Sequence, residues 1–206
     1  MPESPHAPPR RFTTALVGNS VSHRITFVGP YGVGKTTALR AVSDIPVLDT
    51  DVPMTHEHAG SAPDKTHTTV GFDYGEWQFD DGTRVGLFGL PGQERFDAVW
   101  DNLLPQSSGV VLWIYGDRDP ALGVAEMRRW VQAVAQRVPV VRLAVAVTRL
   151  PTGFDDRMLD PYRTALLDYH PLAPVLSADP RQAQDVRQMI AVSLASPASI
   201  IDGFDG

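Results

Sequence analysis

A chain of 206 residues with 43% hydrophobic and 20% charged side chains has the make-up of a globular protein: one domain with a sizeable core, plus tails. A net charge of −6 with no basic block excludes a nucleic-acid duplex as the expected partner. The absence of cysteine excludes disulfides, thiolate zinc sites, cysteine nucleophiles and prenyl or palmitoyl anchors.

Residues 1–22, with Pro2, Pro5, Pro8 and Pro9 among small polar residues, read as a mobile N-terminal tail. No secretory or myristoylation signal is read there, and no apolar run approaches membrane-spanning length. A cytoplasmic location is expected, with any membrane association peripheral and through partners.

The folded part is expected over residues 23–196. Residues 24–28, Arg-Ile-Thr-Phe-Val, read as a buried strand. Gly29-Pro30-Tyr31-Gly32-Val33-Gly34-Lys35-Thr36-Thr37 follows and fits G-x-x-x-x-G-K-[ST], the phosphate-binding loop, and residues 36–43 then read as a helix ended by Ile45-Pro46. Strand, glycine loop and helix are the setting that motif requires. Gly32 and Gly34 let the backbone approach phosphate oxygens without a Cβ. The amides of residues 32–37 converge on a β-phosphate at the positive end of the helix dipole. Lys35 adds a point charge between β- and γ-phosphates, and the Thr36 hydroxyl is a Mg²⁺ ligand. The chain has two lysines, Lys35 and Lys65, among many arginines, so Lys35 stands where an arginine would not do the same job.

Residues 47–68 show no clear period and read as a long connection without regular structure. His56, His58 and His67 lie in it without a metal-ligand spacing. Residues 70–79 alternate as a strand, Asp80-Asp81-Gly82 is a hairpin turn signal, and residues 83–88 are the partner strand, antiparallel to it. Phe96, Val99, Trp100 and Leu103 then recur at helical spacing, and residues 105–108 close that unit. Residues 109–115 are a continuous apolar run, typical of a parallel strand buried on both faces. Asp119-Pro120 caps a helix running to about Arg137. Residues 140–147 read as a strand, 157–169 as a helix and 173–176 as a short strand. Asp179-Pro180 opens a last helix with Val186, Ile190 and Leu194 inward, and residues 197–206 form a C-terminal tail. The sum is a doubly wound α/β fold: a six-stranded, mostly parallel sheet with one antiparallel strand and right-handed crossovers.

Over about residues 24–194 the pattern resembles a Ras-like small GTPase of the P-loop NTPase class, and within it the prokaryotic group of the gliding-motility MglA proteins and the conservon GTP-binding proteins. The stretches that carry the resemblance are the loop at residues 29–37, Asp64-Lys65-Thr66-His67-Thr68-Thr69-Val70-Gly71-Phe72-Asp73-Tyr74-Gly75, and Leu87-Phe88-Gly89-Leu90-Pro91-Gly92-Gln93-Glu94-Arg95-Phe96. The resemblance implies GTP and GDP as ligands with Mg²⁺. Thr69 then joins the Mg²⁺ shell, Gly92 offers its N–H to the γ-phosphate, and Gln93 orients the attacking water, with Lys35 completing the catalytic set. Gly29, Tyr31, Gly32, Val33, Gly34, Lys35, Thr36 and Thr37 hold the phosphates. Thr148, Arg149, Ser177 and Ala178 border the base. Arg95 is an in-chain candidate for the stabilising arginine. A protein regulator or effector of roadblock type is implied. The face that includes Phe96, Val99, Trp100 and Leu103 is in part core, and its Phe, Trp and Leu beside a switch suit a partner-binding patch.

Two positions depart from the family pattern. Gly89-Leu90-Pro91-Gly92 lacks the aspartate of D-x-x-G, which supports Mg²⁺ through water. Thr148-Arg149-Leu150-Pro151 stands where N-K-x-D is expected, and Pro151 has no side-chain acceptor for guanine N1 and N2; Asp155 and Asp156 are the carboxylates nearest in sequence. Two other readings stay open: a degenerate GTPase acting as a scaffold, and an ATP-binding P-loop protein such as a kinase.

Overall fold

In the computed structural model the described residues are 21–54, 68–92, 97–170 and 172–195. The expected C-terminal tail, the N-terminal tail apart from residues 21 and 22, and the three loop histidines lie outside them. Seven strands form one sheet in the order β2-β3-β4-β1-β5-β6-β7. They are β1 (His23–Val28), β2 (Leu48–Met54), β3 (Thr68–Gln78), β4 (Arg84–Gly89), β5 (Gly109–Tyr115), β6 (Leu143–Thr148) and β7 (Val175–Ser177). The helices are α1 (Lys35–Val42), α2 (Asp97–Leu103), α3 (Pro120–Ala135), α4 (Asp160–Leu166) and α5 (Ala183–Leu194).

The six expected strands are present and mostly parallel, with β3 antiparallel to its neighbours. The seventh, β2, lies at the sheet's edge, where the sequence reads as a connection without regular structure. Asp49, Asp51 and Pro53 disguise it, and an edge strand tolerates all three because one side of its backbone needs no ladder.

The alternation of β5 explains the two-layered core. Val110, Leu112 and Ile114 face the cluster built with α2, α3 and α4, while Val111, Trp113 and Tyr115 face the cluster built with α1 and α5. All seven β5 residues are buried, as a central parallel strand requires. Asp119 caps α3 through its carboxylate, which accepts from the amides of Ala121 and Leu122.

Three local expectations are corrected. Residues 140–142 form a 3-10 turn rather than the start of β6, because Pro139 opens a tight turn closed by Arg142 N–H on its carbonyl. The expected helix over 157–169 is a 3-10 turn at Asp156–Leu159 followed by the shorter α4. Asp179-Pro180 does not open α5; it forms a turn in which Asp179 N–H donates to the Asp185 carboxylate, and the helix begins at Ala183.

The chain builds β2–β4 on one side of β1 and β5–β7 on the other. The loop that leaves β1 therefore emerges at the point where strand order reverses. Crevices at the carboxyl ends of such sheets are where ligands bind.

Candidate functional site

Residues 29–34 connect β1 to α1 with three glycines at positive φ: Gly29 at 132°, Gly32 at 74° and Gly34 at 119°. Two of them are also pinned by space. A Cβ on Gly29 would lie 2.2 Å from the Trp113 carbonyl oxygen, and one on Gly34 would lie 2.6 Å from Pro180 Cγ. Gly34 is the N-cap of α1 and supplies no side-chain cap, so the first-turn amides keep their capacity to bind an anion.

Lys35 folds back under this loop. Its ammonium donates to the carbonyls of Gly29 at 2.7 Å and Pro30 at 2.9 Å, and the residue is 9% exposed. Burial pulls its pKa down from 10.5 to about 8, and the Asp73 carboxylate nearby opposes the fall. The neighbouring Thr36 hydroxyl donates to the Asp73 carboxylate. Asp73 lies on β3 directly across from Gly89 of β4. Beyond the end of β4, Gly92 packs on the loop: a Cβ there would meet the Gly29 oxygen and the Tyr31 nitrogen, both at 2.6 Å. These groups surround a cleft of about 380 Å³ bordered by Tyr31, Lys35, Thr36, Asp73, Gly89 and Gly92.

A second cleft of about 610 Å³ shares Gly32, Gly34 and Thr37 with the first and is also lined by Thr148, Arg149, Leu150, Phe154, Ser177 and Ala178. Arg149 adopts φ 60°, donates from its guanidinium to the Gly32 carbonyl at 2.7 Å, and lies 4.6 Å over the Tyr115 ring. The Tyr115 hydroxyl in turn donates to the Tyr31 carbonyl at 2.7 Å. The 148–149 corner is thus tied to the phosphate loop from two directions. Two carboxylates, Asp179 and Asp185, border the cleft. Arg181 engages Asp179 and holds its carboxyl below the ordinary value. Asp185 accepts from the Asp179 amide. Asp155 and Asp156 do not turn back toward it: the first accepts from Arg157 N–H and the second pairs with Arg163.

The expected phosphate residues are therefore brought together. Val33 contributes main chain only, since its side chain is 1% exposed within the core, whereas the Tyr31 side chain is 79% exposed at the cleft mouth. Thr148, Arg149, Ser177 and Ala178 share the second cleft. Thr69 lies on β3, paired with Pro53. Gln93, Arg95 and Phe96 lie outside the described residues. On the apolar face of α2, Val99 and Trp100 are 7% and 5% exposed and belong to the core, against which Leu103 also packs.

Sequence reasoning gave Asp73 no role. A signal was present. The hairpin at 80–82 pairs Gln78 with Arg84, and counting back along the two strands places Asp73 opposite Gly89.

No family model matches the chain, and no curated protein matches it. Solved structures do. The G domain of the FeoB iron transporter of T. maritima aligns over 84% of this chain and 99% of its own, at 14% identity and a TM-score of 0.56. The bacterial selenocysteine-specific elongation factor EF-Sec aligns over 90% of this chain and 29% of its own, at 16% identity and a TM-score of 0.55. The cytosolic domain of T. maritima FeoB in its GMPPNP form aligns over 82% and 62%, at 13% identity and a TM-score of 0.50. The chain has the fold of a P-loop GTPase G domain. Among the described residues no helix is long and apolar enough to cross a membrane.

Proposed function

We propose that this chain is a nucleotide-dependent molecular switch, a small GTP-binding protein of the MglA and conservon type that hydrolyses GTP to GDP with Mg²⁺. The observation that carries the reading is the buried Lys35 ammonium, held on two carbonyls of its own glycine loop beside a hydroxyl–carboxylate pair. A buried cation with only main-chain carbonyls on its nitrogen is costly on its own and is suited to a phosphate anion.

The glycine cradle and the α1 amides bind the β-phosphate, and Lys35 exchanges its carbonyl partners for phosphate oxygens. The donor set at Thr36 and Asp73, oxygens only, fits Mg²⁺; Thr36 and Thr69 would hold it. When bound, the ion neutralises charge on the β- and γ-oxygens. Gly92 offers its amide to the γ-phosphate, and Gln93 orients the water that attacks phosphorus. Gly92 rests against the loop backbone, so a third phosphate in the cleft meets this segment, and that is how the length of the polyphosphate becomes a change of shape. A protein regulator or effector, roadblock-type in the resembling group, reads that change.

Two observations favour the second reading, an ATP-binding or degenerate relative. Pro151 offers no side-chain acceptor, and the Ala178 amide, where the family's base contact falls, donates to the Val147 carbonyl at 3.1 Å. Displacement of a fluorescent guanine nucleotide by unlabelled GTP and ATP separates the readings. The switch predicts tighter competition by GTP and Mg²⁺-dependent hydrolysis that Gln93→Leu lowers at least ~10-fold with binding retained. Equal competition, or hydrolysis unchanged by Gln93→Leu, rejects the guanine switch.

A further inference from the structure

We propose that Asp73, on β3, supplies the carboxylate that supports the Mg²⁺ shell in place of the D-x-x-G aspartate missing at Gly89. The inference rests on the nucleotide-switch reading and adds a residue to it.

Three observations converge. The Asp73 carboxylate accepts a hydrogen bond from the hydroxyl of Thr36, the residue that follows Lys35 and faces the cleft. Asp73 and Gly89 are register partners across the β3–β4 ladder, so the two positions present side chains to the same local space from adjacent strands. Most directly, a Cβ built on Gly89 would lie 3.2 Å from Asp73 Cβ and 3.2 Å from its Oδ2, with Leu39 Cδ1 at 3.3 Å. A side chain at 89 and the carboxylate of Asp73 therefore compete for one volume. Glycine at 89 is the complement of aspartate at 73: the carboxylate has moved one strand sideways and arrives at the same place. Burial of Lys35 beside it gives the carboxylate a second electrostatic partner.

A purely structural Asp73 would do no more than accept the Thr36 hydroxyl. Asp73→Asn separates the roles, because the amide oxygen still accepts that bond while the charge is gone. The readout is release of a fluorescent GDP analogue from the full chain, in EDTA and across a Mg²⁺ titration, with circular dichroism and melting used to confirm folding. The parent should release slowly in Mg²⁺ and faster in EDTA. Asp73→Asn should leave the EDTA rate within a few-fold and raise the Mg²⁺ concentration for half-maximal slowing by ~10–100-fold, the usual loss when a residue supporting a metal's ligands is removed. The exchange Asp73→Gly with Gly89→Asp should bring that concentration back to within a few-fold of the parent.

A Mg²⁺ midpoint unchanged in Asp73→Asn, or an exchange variant that folds without recovering it, overturns the role of Asp73 and leaves the switch reading standing. A parent that binds no guanine or adenine nucleotide overturns both.

Discussion

Replacing Lys35 with methionine tests the phosphate loop without any ligand. In the folded chain burial holds the Lys35 ammonium at a pKa of about 8, against 10.5 when solvated. Below pH 8 both folded and unfolded chains carry the proton, and the folded state bears the full cost of the buried charge. Between about 8 and 10.5 the folded chain has released the proton while the unfolded chain keeps it. Unfolding then takes up a proton, and stability rises with pH. From pH 7 to pH 9.5 the parent should gain about 2 kcal/mol from this group, at ~1.4 kcal/mol per unit of pKa difference. Other groups titrate in both proteins and cancel in the comparison. The assay is urea unfolding of nucleotide-free parent and Lys35→Met at the two pH values. The stability difference between them should move by about 2 kcal/mol in the parent's favour at the higher pH, or ~4–8 °C in melting. Parallel pH profiles would refute the argument, since they would mean a Lys35 exposed to water. The same shift has a binding consequence. A polyphosphate beside the ammonium raises its pKa, so binding takes up a proton above pH 8, and affinity should weaken as pH climbs past that value.

Gly92→Ala should depress hydrolysis at least ~10-fold while nucleotide affinity changes by no more than a few-fold, because the added methyl meets rigid main chain at Gly29 and Tyr31 and displaces the segment that senses the terminal phosphate; single-turnover hydrolysis beside equilibrium binding checks this, and an unaltered rate counts against the contact. Asp119→Ala, at a residue that lines neither cleft, should cost ~1 kcal/mol by removing the carboxylate that accepts from two amides at the start of α3, and should lower melting by a few degrees with nucleotide affinity unchanged.

The phosphate half of the site was legible because its residues are contiguous. Directly behind a strand, three glycines, a lysine and two threonines define their own geometry within nine positions. Asp73 was not legible in that way, since its meaning depends on which residue lies across the ladder. Register is a tertiary fact, although the 80–82 turn encodes it. β2 was hidden by two aspartates and a proline that only an edge position accommodates. The apolar spacing of Val99, Trp100 and Leu103 correctly marked a helix face, but period alone does not say whether that face meets a partner or the protein's own sheet; here it meets the cluster that includes Leu112, Met127 and Val131.

The two clefts differ in how their chemistry is built. On the phosphate side a missing residue is compensated in space: the aspartate absent from position 89 has a carboxylate counterpart reaching the same volume from β3. On the base side no such substitution occurs among the described residues. Pro151 leaves no side-chain acceptor, and the nearby carboxylates are engaged: Asp179 by Arg181, Asp156 by Arg163, Asp117 by Arg149 at 3.9 Å, and Asp155 and Asp185 by main-chain amides. What replaces side-chain reading there is a brace, with Arg149 linking Gly32 to the Tyr115 ring and Tyr115 linking back to Tyr31. A site arranged this way couples the base cleft to the phosphate loop mechanically. Loss of the third phosphate should therefore weaken binding more than exchange of guanine for adenine does, with GTP still ahead of ATP, because the phosphates meet a buried ammonium and a glycine cradle while the base cleft lacks the paired side-chain acceptor.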